Sequence, residues 1–222
     1  MMYTLRRVWQ RYRARNGIRL LVVLILGMAS VQFYTRMRPS SVFLGMYRLS
    51  DDPTTPNLLV NVYAIVFMAC GLALPLEQFS EYLCVPEYLV YIRQRRGLVH
   101  LLRYLTIVVV YCCLFTGVQV AVAWCLVPDR DTGVLLSSAI CSAGMLLVLI
   151  LLCNAAYLMG RGSWGYMLST VLYALVLSIN PVAHWFAHGT IVGVPAWVPV
   201  LVCLCALLCV VNLHLFNHLE IQ

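Results

Sequence analysis

The sequence predicts an all-α integral membrane protein with six transmembrane helices, an N-terminal amphipathic interfacial helix and a short cytoplasmic helix between spans two and three. Three observations lead there. The chain of 222 residues is 63% hydrophobic and 10% charged, where a soluble domain carries about 25% charged residues. Apolar runs recur at 18–35, 57–76, 99–127, 133–159, 164–181 and 195–216, each reaching or approaching the ~20 residues that cross ~30 Å of hydrocarbon. The basic residues, all arginine, fall mainly on alternate connections, as the positive-inside rule requires. Residues 1–222 read as a single transmembrane domain.

Residues 1–17 place Leu5, Val8, Trp9 and Tyr12 on one helical stripe, while Arg6, Arg7, Arg11, Arg13 and Arg15 cover the rest. Such a helix lies on the inner membrane surface. Trp9 and Tyr12 on one stripe beside a span favour lipid headgroups over nucleic acid. No small-residue cleavage motif follows the basic start, so the first span is expected to stay.

With the N-terminus inside, Arg6, Arg7, Arg11, Arg13, Arg15, Arg19, Arg93, Arg95, Arg96, Arg103 and Arg161 are cytoplasmic. Arg36, Arg38, Arg48 and Arg130 are outside, accompanied by Asp51, Asp52, Asp129 and Asp131. Both termini are therefore expected in the cytoplasm. The first external loop, 35–56, reads as an ordered turn capped by Asp51 or Asp52. Paired aspartates in a Pro-rich loop are ordinarily solvated rather than metal ligands.

The long polar interval runs from Glu77 to Arg103. Within it, Pro86 suits a first helical turn, Glu87 places negative charge there, Arg93, Arg95 and Arg96 place positive charge near the last, and Gly97 stops it. The spacing predicts a helix of roughly 11 residues in segment 77–98, about 16 Å long. The β-branched Val90 and Ile92 leave an irregular loop as the alternative. Arg93, Arg95 and Arg96 are also suited to anionic lipid.

In the fourth span Ser138 and Ser142, and Ala139 and Ala143, are spaced four apart beside Gly144. Small-residue rows let helices approach closely in lipid, either within the chain or at a seam with a second subunit. Asn61, Gln119 and Asn154 are intramembrane amides that need partners inside a bundle, and Asn212 and His214 approach the inner interface. No Asp or Glu lies near mid-membrane, against a pump built on buried carboxylates.

Segment 182–194 is too apolar for a free loop and too short to span, so it is expected as a re-entrant or interfacial piece. His184 and His188 are four apart, but no glutamate completes a HisGluXaaXaaHis pair. Interfacial histidines beside Trp185 and Phe186 are the plain reading; a zinc or proton-linked role is the alternative. The ten cysteines lie mostly in apolar runs, where a thiol behaves as a small hydrophobe. No metal site is expected.

No phosphate-binding loop, GlyXaaSerXaaGly elbow or intramembrane carboxylate dyad occurs. Catalysis by the chain alone is unsupported, so any energy for transport must come from a partner.

The layout of interfacial helix, six spans, cytoplasmic helix between spans two and three, and an outer segment between five and six resembles the permease subunit of a type-2 ABC exporter. The short bacteriocin and lantibiotic export or immunity permeases are the nearest group. The local match is Glu77 or Glu81 at the end of span two, then Arg95, Arg96, Gly97, an apolar run and Arg103 opening span three. The resemblance implies a coupling helix that docks on a separate cytosolic ATP-binding subunit. Tyr88, Leu89, Tyr91 and Ile92 would supply contact area, and Glu87, Arg93, Arg95 and Arg96 orientation. It further implies ATP and Mg bound by that partner and none by this chain, a second permease copy or paralogue, and a peptide or amphiphilic substrate. The setting would be a bacterial inner (plasma) membrane. One rival is a non-transporting accessory or assembly subunit of another membrane complex. The other is a membrane enzyme using His184 and His188 with an external aspartate.

Overall fold

A computed structural model describes residues 16–36, 43–48, 57–75, 79–80, 98–127, 131–191 and 193–217. The stripe with Arg6, Arg7, Trp9, Arg11, Tyr12, Arg13 and Arg15, the carboxylates Glu77 and Glu81, and the expected docking helix from Glu87 to Arg96 lie outside the described residues. So do Asp51, Asp52, Asp129 and Arg130.

The helices are α1 (Asn16–Arg36), α2 (Asn57–Val60), α3 (Val62–Ala73), α4 (Leu98–Leu126), α5 (Thr132–Leu158), α6 (Gly162–Ser178), α7 (Asn180–His188) and α8 (Trp197–Asn217). A hairpin of β1 (Thr190–Ile191) and β2 (Val194–Pro195) joins α7 to α8. Among the described residues four helices, α1, α4, α5 and α8, are long and apolar enough to cross a bilayer, over Gly17–Thr35, Leu101–Leu126, Thr132–Leu158 and Trp197–Phe216. They coincide with the expected spans one, three, four and six.

The expected second and fifth spans depart from continuous helices. The second is split at Asn61, which takes φ −98 and ψ 9, and α3 then runs for 12 residues. The fifth stops at Ser178 instead of 181, because Ile179 is extended at φ −88 and ψ 95 and Pro181 has no N–H with which to continue the ladder. Helix α7 leaves at 88° to α6. Among the described residues, four helices are thus long and apolar enough to span, or five if α6 and α7 are taken as one broken span.

Helix α5 is the centre of the bundle. Of its most apolar stretch 50% is buried inside the protein, against 17% for α8, and it packs on α8, α6, α4 and α3. Asp131 caps its start, Oδ1 accepting from the N–H groups of Gly133 at 3.0 Å and Val134 at 3.3 Å. Its end is a Schellman turn: Gly160, at φ +75, donates to the Tyr157 carbonyl, and Arg161 to that of Ala156. That tight turn sends α6 straight back along α5.

The small-residue row serves this internal packing. Ser138, Ala139 and Ser142 are buried, and a Cβ added to Gly144 would stand 3.0 Å from Leu201 Cδ1 on α8. The two serine hydroxyls bond carbonyls of their own helix, Ser138 to Val134 at 2.8 Å and Ser142 to Ser138 at 2.9 Å, so the face is nearly apolar. Helix α6 comes closer still, since a Cβ on Gly165 would lie 2.9 Å from Ala156 Cβ and 3.1 Å from the Cys153 carbonyl oxygen.

Candidate functional site

Polar groups gather inside the bundle toward each end. At the α7 end they surround residues 43–48, part of the connection between α1 and α2 that is expected from sequence as an external loop. Phe43, Leu44, Gly45, Met46 and Tyr47 are too apolar for solvent, and the segment folds into the bundle, with Phe43 at 0% and Tyr47 at 4% exposure. One turn closes as the Met46 N–H donates to the Phe43 carbonyl at 3.0 Å. The Leu44 N–H donates to the Tyr34 hydroxyl at 3.1 Å. Irregular backbone at membrane depth persists only where the protein satisfies it in this way.

Glycine at 45 lets the turn rest on α3, because a Cβ there would stand 2.5 Å from Phe67 Cδ1. The Phe43 ring meets Phe67 edge-on at 5.3 Å, and Phe67 meets Phe115 of α4 at 4.9 Å.

Asn61 holds the far end of the segment. Its Oδ1 accepts from the Arg48 N–H and its Nδ2 donates to the Arg48 carbonyl at 2.8 Å. The amide that interrupts the second span is thus the group that clamps residue 48. The Arg48 guanidinium lies 4.3 Å from the Phe33 ring centre, a cation–π contact. From α7, Phe186 meets the Tyr47 ring edge-on at 5.5 Å.

Behind Tyr47 stand Tyr173 of α6 and Cys141 of α5, both buried. Tyr173 lies near both Cys141 and Tyr47. The hydroxyls of Tyr47 and Tyr173 are buried without a hydrogen-bond partner among the described residues.

At the other end, near the α5–α6 turn, Arg19 Nε donates to the Leu74 carbonyl at 3.3 Å and so meets the negative end of α3. The Tyr111 hydroxyl donates to the Gly71 carbonyl at 2.7 Å. Leu72, Pro75, Phe79, Ser80, Ile150, Cys153 and Tyr166 line a cavity of about 10 Å³, the size of one water molecule. Cys153 Sγ lies 3.2 Å from Ser169 Oγ. Asn154 Nδ2 donates to Asn212 Oδ1 at 2.7 Å, and Asn212 Nδ2 donates to the carbonyls of Leu151 at 3.0 Å and Leu208 at 2.8 Å. Between the two ends, the Ser30 hydroxyl has Gln119 Oε1 and the Leu26 carbonyl both at 2.7 Å, one proton serving two acceptors.

The amides singled out in the sequence, Asn61, Gln119, Asn154 and Asn212, thus all find partners inside the bundle. Arg103 is exposed on α4 beside the fully buried Tyr104. Segment 182–194 forms α7 and the hairpin, with Val182, His184 and Trp185 exposed; the His188 side chain lies outside the described residues. Segment 43–48, expected in an external loop, enters the bundle. Among the described residues no three His, Cys, Asp or Glu side chains are placed to hold a metal. Sequence reasoning does not single out Tyr34, Gly45, Tyr47 or Tyr173; the signal for the segment is the apolar five-residue run 43–47 with a glycine inside an expected loop. Comparison with family models, curated proteins and solved structures returned no match.

Proposed function

We propose that this chain is the permease subunit of an ATP-driven exporter, in keeping with the resemblance drawn from its sequence. It would pair with a second copy or a paralogue and with a cytosolic ATP-binding subunit that carries ATP and Mg. The substrate would be a peptide or amphiphilic compound, moved outward across a bacterial inner membrane with both termini cytoplasmic. The observation that supports the reading is the buried irregular segment 43–48 held where the second span breaks at Asn61. Interrupted helices and irregular backbone deep in a bundle are the devices with which transporters build movable sites. The internal cavity of about 10 Å³ holds no peptide, so the path in this reading runs along the seam between two permeases.

A second reading is a non-transporting accessory or assembly subunit of another membrane complex. It is favoured by the use of the α5 small-residue row inside the chain. It is also favoured by the broad apolar face of α8, only 17% buried over its span.

Purification from the native membrane in mild detergent, with mass spectrometry of what accompanies the chain, separates the two. The permease reading expects a stoichiometric cytosolic ATPase, lost when Tyr88, Leu89 and Tyr91 are replaced by alanine. Recovery of membrane proteins alone overturns it in favour of the accessory subunit.

A further inference from the structure

We propose that residues 43–48 are a withdrawable plug that seals the α7 end of the bundle, and that its withdrawal opens Tyr47, Tyr173 and Cys141 to water. Naming it a gate rests on the transport reading; its movement does not.

The plug has separable attachments. Phe43, Leu44 and Tyr47 are buried against the bundle, which favours the closed position through the hydrophobic effect. Polar attachments lie at its two ends: Tyr34 on the Leu44 N–H, Asn61 on both backbone groups of Arg48, and the Arg48 guanidinium on the Phe33 ring. Everything between is side-chain packing around Gly45, which has no Cβ to wedge against Phe67. A segment fixed this way can leave without breaking any helix's hydrogen-bond ladder.

Something also works against closure. The Tyr47 and Tyr173 hydroxyls lose water on burial and gain no partner among the described residues, a cost with no return in the closed position. Phenylalanine at either place would fill the same space without it. The hydroxyls regain hydrogen bonds when water enters, so the closed position is held by Asn61 and loosened by the two tyrosines. That opposition defines a two-state element. Cys141, at 0% exposure behind both tyrosines, is a native reporter of the open state.

The full-length protein in lipid nanodiscs is treated with a charged, water-soluble methanethiosulfonate, and modification of each cysteine is followed by peptide mass spectrometry. Cys141 is expected to react slowly in the wild type. Asn61→Leu, which removes both clamp bonds, should raise its rate about tenfold or more, as expected for a shifted two-state equilibrium, while the buried Cys112 and Cys153 stay protected. The double variant Tyr47→Phe with Tyr173→Phe should slow Cys141 below the wild-type rate.

A wild-type rate at Cys141 in Asn61→Leu overturns the plug, as does a rise shared equally by Cys112 and Cys153, which reports general loosening. Should Asn61→Leu not insert, the phenylalanine pair decides, and unchanged or faster labelling of Cys141 there overturns the proposal. Loss of the plug would leave capture of a cytosolic ATPase as the separate test of transport.

Discussion

Replacing Asn212 with leucine should destabilise the bundle by about 2 kcal/mol, and adding Asn154→Leu should return most of it. The geometry sets both parts. Asn212 Nδ2 donates to the Leu151 and Leu208 carbonyls, but both carbonyls belong to helix interiors and keep their ladder bonds. The loss therefore falls on Asn154. Its Nδ2 bonds Asn212 Oδ1, and its own Oδ1 is already buried without a partner, so Asn212→Leu leaves a whole amide unsatisfied in an apolar interior. An orphaned buried polar group costs about 1–3 kcal/mol, whereas replacing both partners by apolar groups of similar shape is nearly neutral. Interhelical pairs in membrane proteins average about 0.6 kcal/mol and reach about 1.7 kcal/mol, which places the coupling between α5 and α8 at about 1–2 kcal/mol. The assay is reversible unfolding in mixed micelles of increasing dodecyl sulfate content, run on the wild type, both single variants and the double. A double variant destabilised by the sum of the singles would refute the reasoning, because it would show that the two amides contribute independently.

Gly165→Ala should force α6 away from α5, since the new methyl group would meet Ala156 Cβ at 2.9 Å and the fixed carbonyl of Cys153 at 3.1 Å. Overpacking of this kind costs about 1–3 kcal/mol, and Ala156→Gly in the same chain should recover only part of it because the carbonyl contact remains. In a variant with Trp9, Trp124, Trp164 and Trp197 replaced by phenylalanine, brominated lipids should quench Trp185 fluorescence most strongly when the bromines sit near the headgroups. Helix α7 lies at 88° to α6 and exposes Trp185, and stronger quenching by deep bromines would show that α7 dips instead of lying in the membrane plane.

Helix existence was legible wherever apolar composition alone decides it. The runs behind α1, α4, α5 and α8 are long and uninterrupted, and no tertiary contact is needed to make them helical in lipid. The departures arise where a single polar residue has a tertiary task. Asn61 in the second apolar run reads as an amide awaiting a partner, but hydropathy cannot say that this partner is the backbone of Arg48, 13 residues earlier, nor that the helix breaks at Asn61. In the fifth run Pro181 was visible, yet the bend falls at Ile179, before the proline. Segment 43–48 reads as a loop because charged and Pro-rich residues flank it and mask its apolar character. Likewise, whether Ser138, Ala139, Ser142, Ala143 and Gly144 meet another subunit or Leu201 is a matter of which helix arrives, which spacing along one helix does not encode.

The burial of residues 43–48 also fixes an order of events during synthesis. The segment leaves the ribosome directly after α1, but surfaces that receive it come later: Phe67 on α3, Cys141 on α5, Tyr173 on α6 and Phe186 on α7. At the usual elongation rate of about 5–20 residues per second, roughly 6–25 seconds separate Arg48 from Tyr173. Throughout that interval Phe43, Leu44 and Tyr47 have no finished cleft to occupy, and α1 and the broken second span must wait beside the insertion machinery with an apolar segment unhoused. The N-terminal third of this protein is therefore completed by its C-terminal half, and any chaperone or membrane partner that shelters the nascent chain has its main task before α6 emerges.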